Sequence, residues 1–305
     1  MLLNNPAFLA EYVLLLRDKK RSLLLYGFLV SVLSLLVTVI PFYTGGNLHT
    51  SLTALIVIAS CKFIFSAWLL THSEFSYAEF KGIRKQLKLA APLVSGLLIS
   101  GSAEYIDGFL VTSHFGAEAF AAFRYGAREF PVSLLMANAL SMAMVPVIAA
   151  RKAEGMLELK REGRKLMHWF AIPVCLLMLF SSHIYPLVFR PEFIESAGIF
   201  NIFLLLLISR MLFPQTVVMA QQSNTVVFRV AIVELTANIF FSILLMNLIG
   251  IKGVAYGTVI AFTLEKALLV VYLAKRKKIS PDAYTDLRTW MFYCILLLVS
   301  YYVSL

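Results

Sequence analysis

The sequence predicts an all-α fold, that of a polytopic helical membrane protein, and three observations carry the prediction. Of its 305 residues, 60% are hydrophobic and only 14% charged, where a soluble domain holds roughly 25% charged residues. Mean hydropathy is +0.82. The apolar residues gather in runs close to the ~20 residues a helix needs to cross a bilayer, and short basic clusters separate the runs. Lipid is therefore the solvent for most of the chain.

Taken in order, a short apolar piece at 7–16 precedes spans at 23–43, 51–71, 89–113, 118–150, 166–188, 196–220, 229–249, 253–273 and 289–305. The run 118–150 exceeds a straight crossing and contains Pro131 and Pro146, so it is expected to leave the bilayer or kink at Pro131. Pro131, Pro186 and Pro214 are also candidate helix breaks, although Pro is ordinary in transmembrane helices. Residues 1–71 read as a partial first lobe and 72–88 as a basic cytoplasmic linker. Residues 89–273 read as a complete six-helix lobe, and 274–305 as a cytoplasmic loop with a further span.

Lys and Arg set the orientation. Alternate segments carry Arg17, Lys19, Lys20 and Arg21; Lys81, Arg84, Lys85 and Lys88; Arg151, Lys152, Lys160, Arg161, Arg164 and Lys165; Arg229; and Lys275, Arg276, Lys277, Lys278 and Arg288. The opposite loops hold Arg190 and Lys252. The basic side faces the cytoplasm by the positive-inside rule, and the same rule accounts for the net charge of +10 without nucleic acid. The opening residues lack the basic start and small-residue cleavage site of a signal peptide. The three cysteines lie in apolar runs and the five histidines are scattered without ligand spacing, so no disulfide framework, metal site or cofactor is expected.

Charged side chains inside spans are costly and usually face a cavity or one another. Glu104 and Asp107 are three apart and share a helix face. Arg124 and Arg128 are four apart, with Glu129 adjoining. Arg210 precedes Pro214 and Gln215, and Glu234 and Asn238 are four apart. One reading makes Arg124, Arg128 and Glu104 structural ion pairs. The other assigns Arg124, Arg128, Arg210 and Gln215 to an anionic head group, because guanidinium forks suit phosphate, and Glu104, Asp107, Glu129, Glu234 and Asn238 to a coupling proton or cation. Glu265 and Lys266 are expected to snorkel toward the interface.

Several motifs together resemble the polysaccharide-exporter branch of the multidrug/oligosaccharidyl-lipid/polysaccharide exporter superfamily. They are Ala91-Pro92-Leu93, Asp107, Gly116, Tyr125-Gly126-Ala127 with Glu129 and Pro131, the stretch from Leu187 to Thr225, and the glycines Gly250, Gly253 and Gly257. The segment EYVLLLRDKKRSLLLYG is similar to that family's junction between the fourth and fifth helices. The resemblance implies a multi-pass protein of the bacterial cytoplasmic (inner) membrane that flips a polyprenyl-diphosphate-linked oligosaccharide by alternating access. It also implies that about three N-terminal helices of the family's two-lobed plan are missing, to be completed by a second chain or another copy, and that this chain alone does not complete a transport cycle. Competing readings are a cation-coupled multidrug exporter of the same superfamily and an inactive or partner membrane fragment. A membrane glycan polymerase or glycosyltransferase ranks last, because no loop is long enough to hold a catalytic constellation.

Overall fold

The computed structural model describes residues 4–17, 19–43, 45, 48–71, 80–189 and 193–305. Its elements are helical throughout, with no strand among the described residues. Seven of these helices are long and apolar enough to cross a membrane, or eight if one bent pair counts as a span. The chain divides into two compact units, Met1–Gly82 and Ile83–Leu305.

The first unit holds α1 (Asn4–Ala7), α2 (Leu9–Leu16), α3 (Lys20–Tyr43) and α4 (Leu48–Thr71). At 24 residues each, α3 and α4 reach about 36 Å, enough for a bilayer core of ~30 Å. Ala10, Val13 and Leu14 of α2 pack with Leu69 of α4 and with Leu23, Tyr26 and Phe65. The Tyr26 and Phe65 rings stack at 5.3 Å. Elsewhere α3 exposes Leu24, Phe28 and Leu35, a surface that only hydrocarbon solvates well. Lys62 lies over the Phe8 ring at 5.2 Å.

The second unit is built on α5 (Phe80–Gly126), α6 (Pro131–Ala150), α7 (Lys152–Val188), α8 (Ile194–Leu204), α9 (Leu206–Arg210), α10 (Pro214–Ala220), α11 (Asn224–Ile249), α12 (Ile251–Arg276) and α13 (Leu287–Val303). Its core includes Val174, Met178, Ile202, Leu206, Val217, Val254 and Leu269. Helix α5 bends at Gly116, whose φ of 87° and ψ of 179° are non-helical; a side chain there would be strained. Two helical segments, 80–115 and 117–126, meet at that kink. A second break follows at 127–130, where Pro131 opens α6 as its first residue after an extended Phe130, because proline has no N–H to continue a helix but suits a helix start. The expected run 118–150 thus begins just past the kink at Gly116 and, as anticipated, is interrupted at Pro131, so that 117–126 is a short helix and α6 supplies the next crossing.

The expected span 196–220 is also not one helix. It is three short ones, α8, α9 and α10, bent by 44°. Pro214 donates no hydrogen bond, and the Leu212 N–H turns to the Ser209 carbonyl at 3.3 Å. That leaves the Ile208 carbonyl to accept from Trp290 Nε1 of α13 at 2.9 Å, so the added C-terminal helix satisfies a broken one. Pro186, by contrast, lies within an unbroken α7.

Close approach holds α11 and α12 together. A Cβ on Gly253 would stand 2.2 Å from the Leu245 carbonyl, and one on Gly257 would stand 2.4 Å from Ser242 Oγ. At one end of the unit, Lys160 of α7 pairs with Asp282 at 3.0 Å and Arg164 with Asp286 at 3.4 Å. The basic segments 151–165 and 274–288 therefore meet. Asp286 caps α13 by accepting from the Thr289 N–H. Burial pushes the Asp286 carboxyl up, but the Thr289 N–H and hydroxyl and the Arg164 guanidinium outweigh it and hold the carboxyl below the usual range.

Candidate functional site

The break at 127–130 opens a cavity of ≈ 490 Å³ inside the second unit, lined by groups that include Glu104, Asp107, Arg124, Arg128, Glu129 and Arg210. Such a volume suits a small-molecule or head-group site. The turn before it is clasped from outside. Tyr185 donates to the Tyr125 carbonyl at 3.0 Å, and Ser196 donates to the Ala122 carbonyl at 2.7 Å. Gly126 is required there, since a Cβ would stand 2.5 Å from the Ser196 carbonyl oxygen.

Two of the three arginines are committed to acids. Arg124 pairs with Glu104, both partly exposed in the cavity. Arg210 binds Glu129 through both ends of its fork, Nε to Oε2 at 2.9 Å and Nη2 to Oε1 at 2.7 Å, and its guanidinium lies 4.7 Å from the Phe262 ring. Arg128 has no ion pair among the described residues. Helical spacing does not apply to it, because α5 ends at Gly126 and Arg128 lies beyond that end.

Asp107 sits apart, 2% exposed, amid oxygen atoms. Thr258 Oγ donates to its Oδ2 at 2.6 Å and Ser242 Oγ contacts its Oδ1 at 3.4 Å. Both hydroxyls also reach the Val254 carbonyl, at 3.2 and 3.4 Å. Asn238 Nδ2 donates to Thr258 Oγ at 3.2 Å, while the buried Asn238 Oδ1 has no partner. One carboxylate, two hydroxyls and a carbonyl make a hard, singly charged set of oxygens, suited to a proton or a monovalent cation.

A second buried cluster surrounds Glu234, which is 1% exposed. Ser100 donates to its Oε1 at 3.1 Å. Glu265 and Lys266 are 7% and 6% exposed and pair at 2.7 Å; Lys266 also donates to Gln215 at 3.2 Å. The expectation that Glu265 and Lys266 snorkel is corrected. They turn into the bundle because Gln215, Glu234 and Arg210 offer polar partners there.

The family model described as "Lipid II flippase MurJ" matches residues 22–305. The chain belongs to the MurJ lipid II flippase family. This places it in the superfamily expected from its motifs; the branch whose model matches is the lipid II flippases. Among solved structures it is similar to "Lipid II flippase MurJ, inward closed conformation" at 13% identity and a TM-score of 0.59, over 90% of this chain and 64% of that one. That likeness shows the fold. The chain thus spans 64% of the length of the solved MurJ structure. No curated protein matches.

Within this MurJ-family lobe the structure separates residues that the sequence grouped. Glu129 leaves its neighbour Arg128 for Arg210. Glu234 and Asn238, four apart on α11, serve different clusters. Gln215 is held by Lys266 rather than standing free for a ligand. Ser100, Ser242 and Thr258 carry no distinguishing signal of their own in the sequence, since lone hydroxyls in apolar helices bond their own backbone as readily. The one signal for Ser242 and Thr258 was their placement on two helices joined at Gly250 and brought close by Gly253 and Gly257.

Proposed function

We propose that this multi-pass membrane protein takes part in flipping a polyprenyl-diphosphate-linked glycan precursor across the bacterial inner membrane by alternating access. In this reading the second unit supplies one wall of the transport cavity. The chain spans 64% of the length of the solved flippase. The glycan is a lipid II-type precursor, as in the family's name, or an oligosaccharide for surface polysaccharide. Both share the diphosphate, and that is the group the cavity addresses.

The observation that carries the reading is Arg128. It lines the cavity with no ion pair among the described residues, while Arg124 and Arg210 are neutralised by Glu104 and Glu129. The Asp107 oxygen cluster is the coupling site, for a sodium ion or a proton, and the basic segments 151–165 and 274–288 face the cytoplasm.

The test is binding to the purified protein in nanodiscs, using a fluorescent polyprenyl diphosphate-linked disaccharide and its monophosphate counterpart. Arg128→Ala removes charge-assisted hydrogen bonds worth about 1.5–3 kcal/mol, so affinity for the diphosphate should fall roughly 10- to 150-fold. Arg128→Lys should recover part of it. Equal diphosphate binding by wild type and Arg128→Ala would reject the reading.

A further inference from the structure

Five ionisable side chains meet inside the second unit, away from the Asp107 oxygen cluster: Glu129, Arg210, Glu234, Glu265 and Lys266. They arrive from the 127–130 break, α9, α11 and α12, positions as far as 137 residues apart from Glu129 to Lys266 in the chain (266 − 129). Three are acids and two are bases. The two bases are each taken by one acid, Arg210 by Glu129 and Lys266 by Glu265. Glu234 is the surplus acid. Its side chain is 1% exposed, Ser100 satisfies its Oε1, and its Oε2 is buried with no hydrogen-bond partner.

The charged and titratable groups facing Glu234 are Glu265 and Lys266 from α12 and Arg210 from α9, with Ser100 from α5 as its neutral partner. Glu129 lies one step further, through Arg210. With every group ionised the cluster would hold a net charge of −1, its surplus acid Glu234 buried beside Glu265 and Lys266, an arrangement that desolvation penalises. One positive charge cancels it. A metal ion is ill suited to this place, because two of the groups around the free oxygen are themselves cations and few neutral oxygens converge. A proton needs only the vacant Oε2.

We propose that Glu234 is a proton-binding site, protonated at neutral pH, and that the network of Glu129, Arg210, Glu265 and Lys266 closes around it only in that form. The inference does not rest on the transport reading, since it concerns a charge balance that exists whatever occupies the cavity. It deepens that reading where the two touch: Ser100, Glu129 and Arg210 line the cavity as well. A ligand that engages the cavity and the proton on Glu234 therefore act on the same side chains, and each is expected to alter the affinity for the other reciprocally.

The test reads the proton directly. The full 305-residue protein in nanodiscs is titrated while the carbonyl stretch of protonated carboxyl groups is followed by infrared difference spectroscopy. Wild type should show a protonated carboxyl at neutral pH that disappears on alkaline titration, with release of about one proton per chain. Glu234→Gln should remove that signal and Asp107→Asn should leave it, while Glu265→Gln, which takes away the surplus negative charge and frees Lys266, should make the signal disappear at lower pH than in wild type. A neutral-pH wild-type spectrum without a protonated carboxyl overturns the proposal, as does a signal that survives Glu234→Gln or vanishes only in Asp107→Asn. Thermal stability gives a second reading. If the network closes only around protonated Glu234, wild type loses stability as pH rises until Glu234 deprotonates. Glu234→Gln should lack that slope, and an unchanged slope in a folded variant would also overturn the assignment. Should Glu234→Gln fail to fold, Glu234→Asp serves instead: it should shift the frequency of the signal, and an unshifted signal sinks the proposal.

Discussion

Replacing Arg210 by alanine isolates the interaction that closes the cavity wall. The guanidinium makes two charge-assisted bonds to Glu129, at 2.9 and 2.7 Å, with side-chain exposures of 20% and 18%. Breaking a buried pair by removing one partner costs about 3–5 kcal/mol, because the other charge is left uncompensated. The lower end applies here, since both groups touch the cavity. Loss of the contact with the Phe262 ring adds about 1 kcal/mol. The expected destabilisation is about 4 kcal/mol, roughly a thousandfold in the folded-to-unfolded ratio. Glu129→Ala combined with Arg210→Ala removes both charges, so the double variant should be less destabilised than the two single effects predict by at least 2 kcal/mol. Denaturant unfolding in mixed micelles, followed by tryptophan fluorescence, measures the full cycle. Arg210→Ala within 1 kcal/mol of wild type, or a cycle additive to within about 0.5 kcal/mol, would refute the argument that this pair holds the 127–130 break against the broken helix.

Gly257→Val drives a side chain into Ser242, whose Oγ would lie 2.4 Å from the new Cβ. Overpacking of about 1–3 kcal/mol or more is expected, and thermal unfolding of the purified variant checks it. Trp290→Phe leaves the Ile208 carbonyl without its donor and should cost about 1–3 kcal/mol, read as a lowered midpoint by circular dichroism. Asp286→Ala removes the cap of α13 and should cost about 1 kcal/mol at neutral pH. Because the folded Asp286 carboxyl is held low, its contribution is fully present above the ordinary carboxylate value and lost as pH falls through its depressed folded value. Wild type and Asp286→Ala should therefore converge in stability only under strongly acid conditions, and a constant gap at every pH would contradict the sign.

The helices themselves follow from composition. A chain whose apolar runs match a bilayer has one economical way to satisfy its backbone, by hydrogen bonding within each segment. For that reason α3, α4, α7, α11 and α12 lie where hydropathy places them. Pro131 was readable as a helix boundary because the missing N–H is a local property. Pro186 carries the same chemistry and breaks nothing, while Pro214 acts within a stretch whose freed carbonyl is recovered by Trp290 from 82 residues away. Whether a proline ends a helix thus depends on what stands ready to accept or donate at the gap.

Sequence alone also determined that charges sit inside the membrane, and that Glu104, Asp107, Arg124, Arg128, Arg210 and Glu234 had to find partners or a cavity. It did not determine the partners. Charge pairing acts through space, over distances fixed by how α5, α9, α11 and α12 pack, and spacing along one helix constrains only neighbours on that helix. Hence Arg128 and Glu129, adjacent in the chain, part company, and Glu129 meets Arg210 across 81 positions. Lys266, whose flexible stem allowed a path to the interface, is turned inward by Gln215 and Glu265. The residue types specified the solvent and the cost of each buried charge. Only tertiary packing decided which charges cancel and which acid, Glu234, is left over.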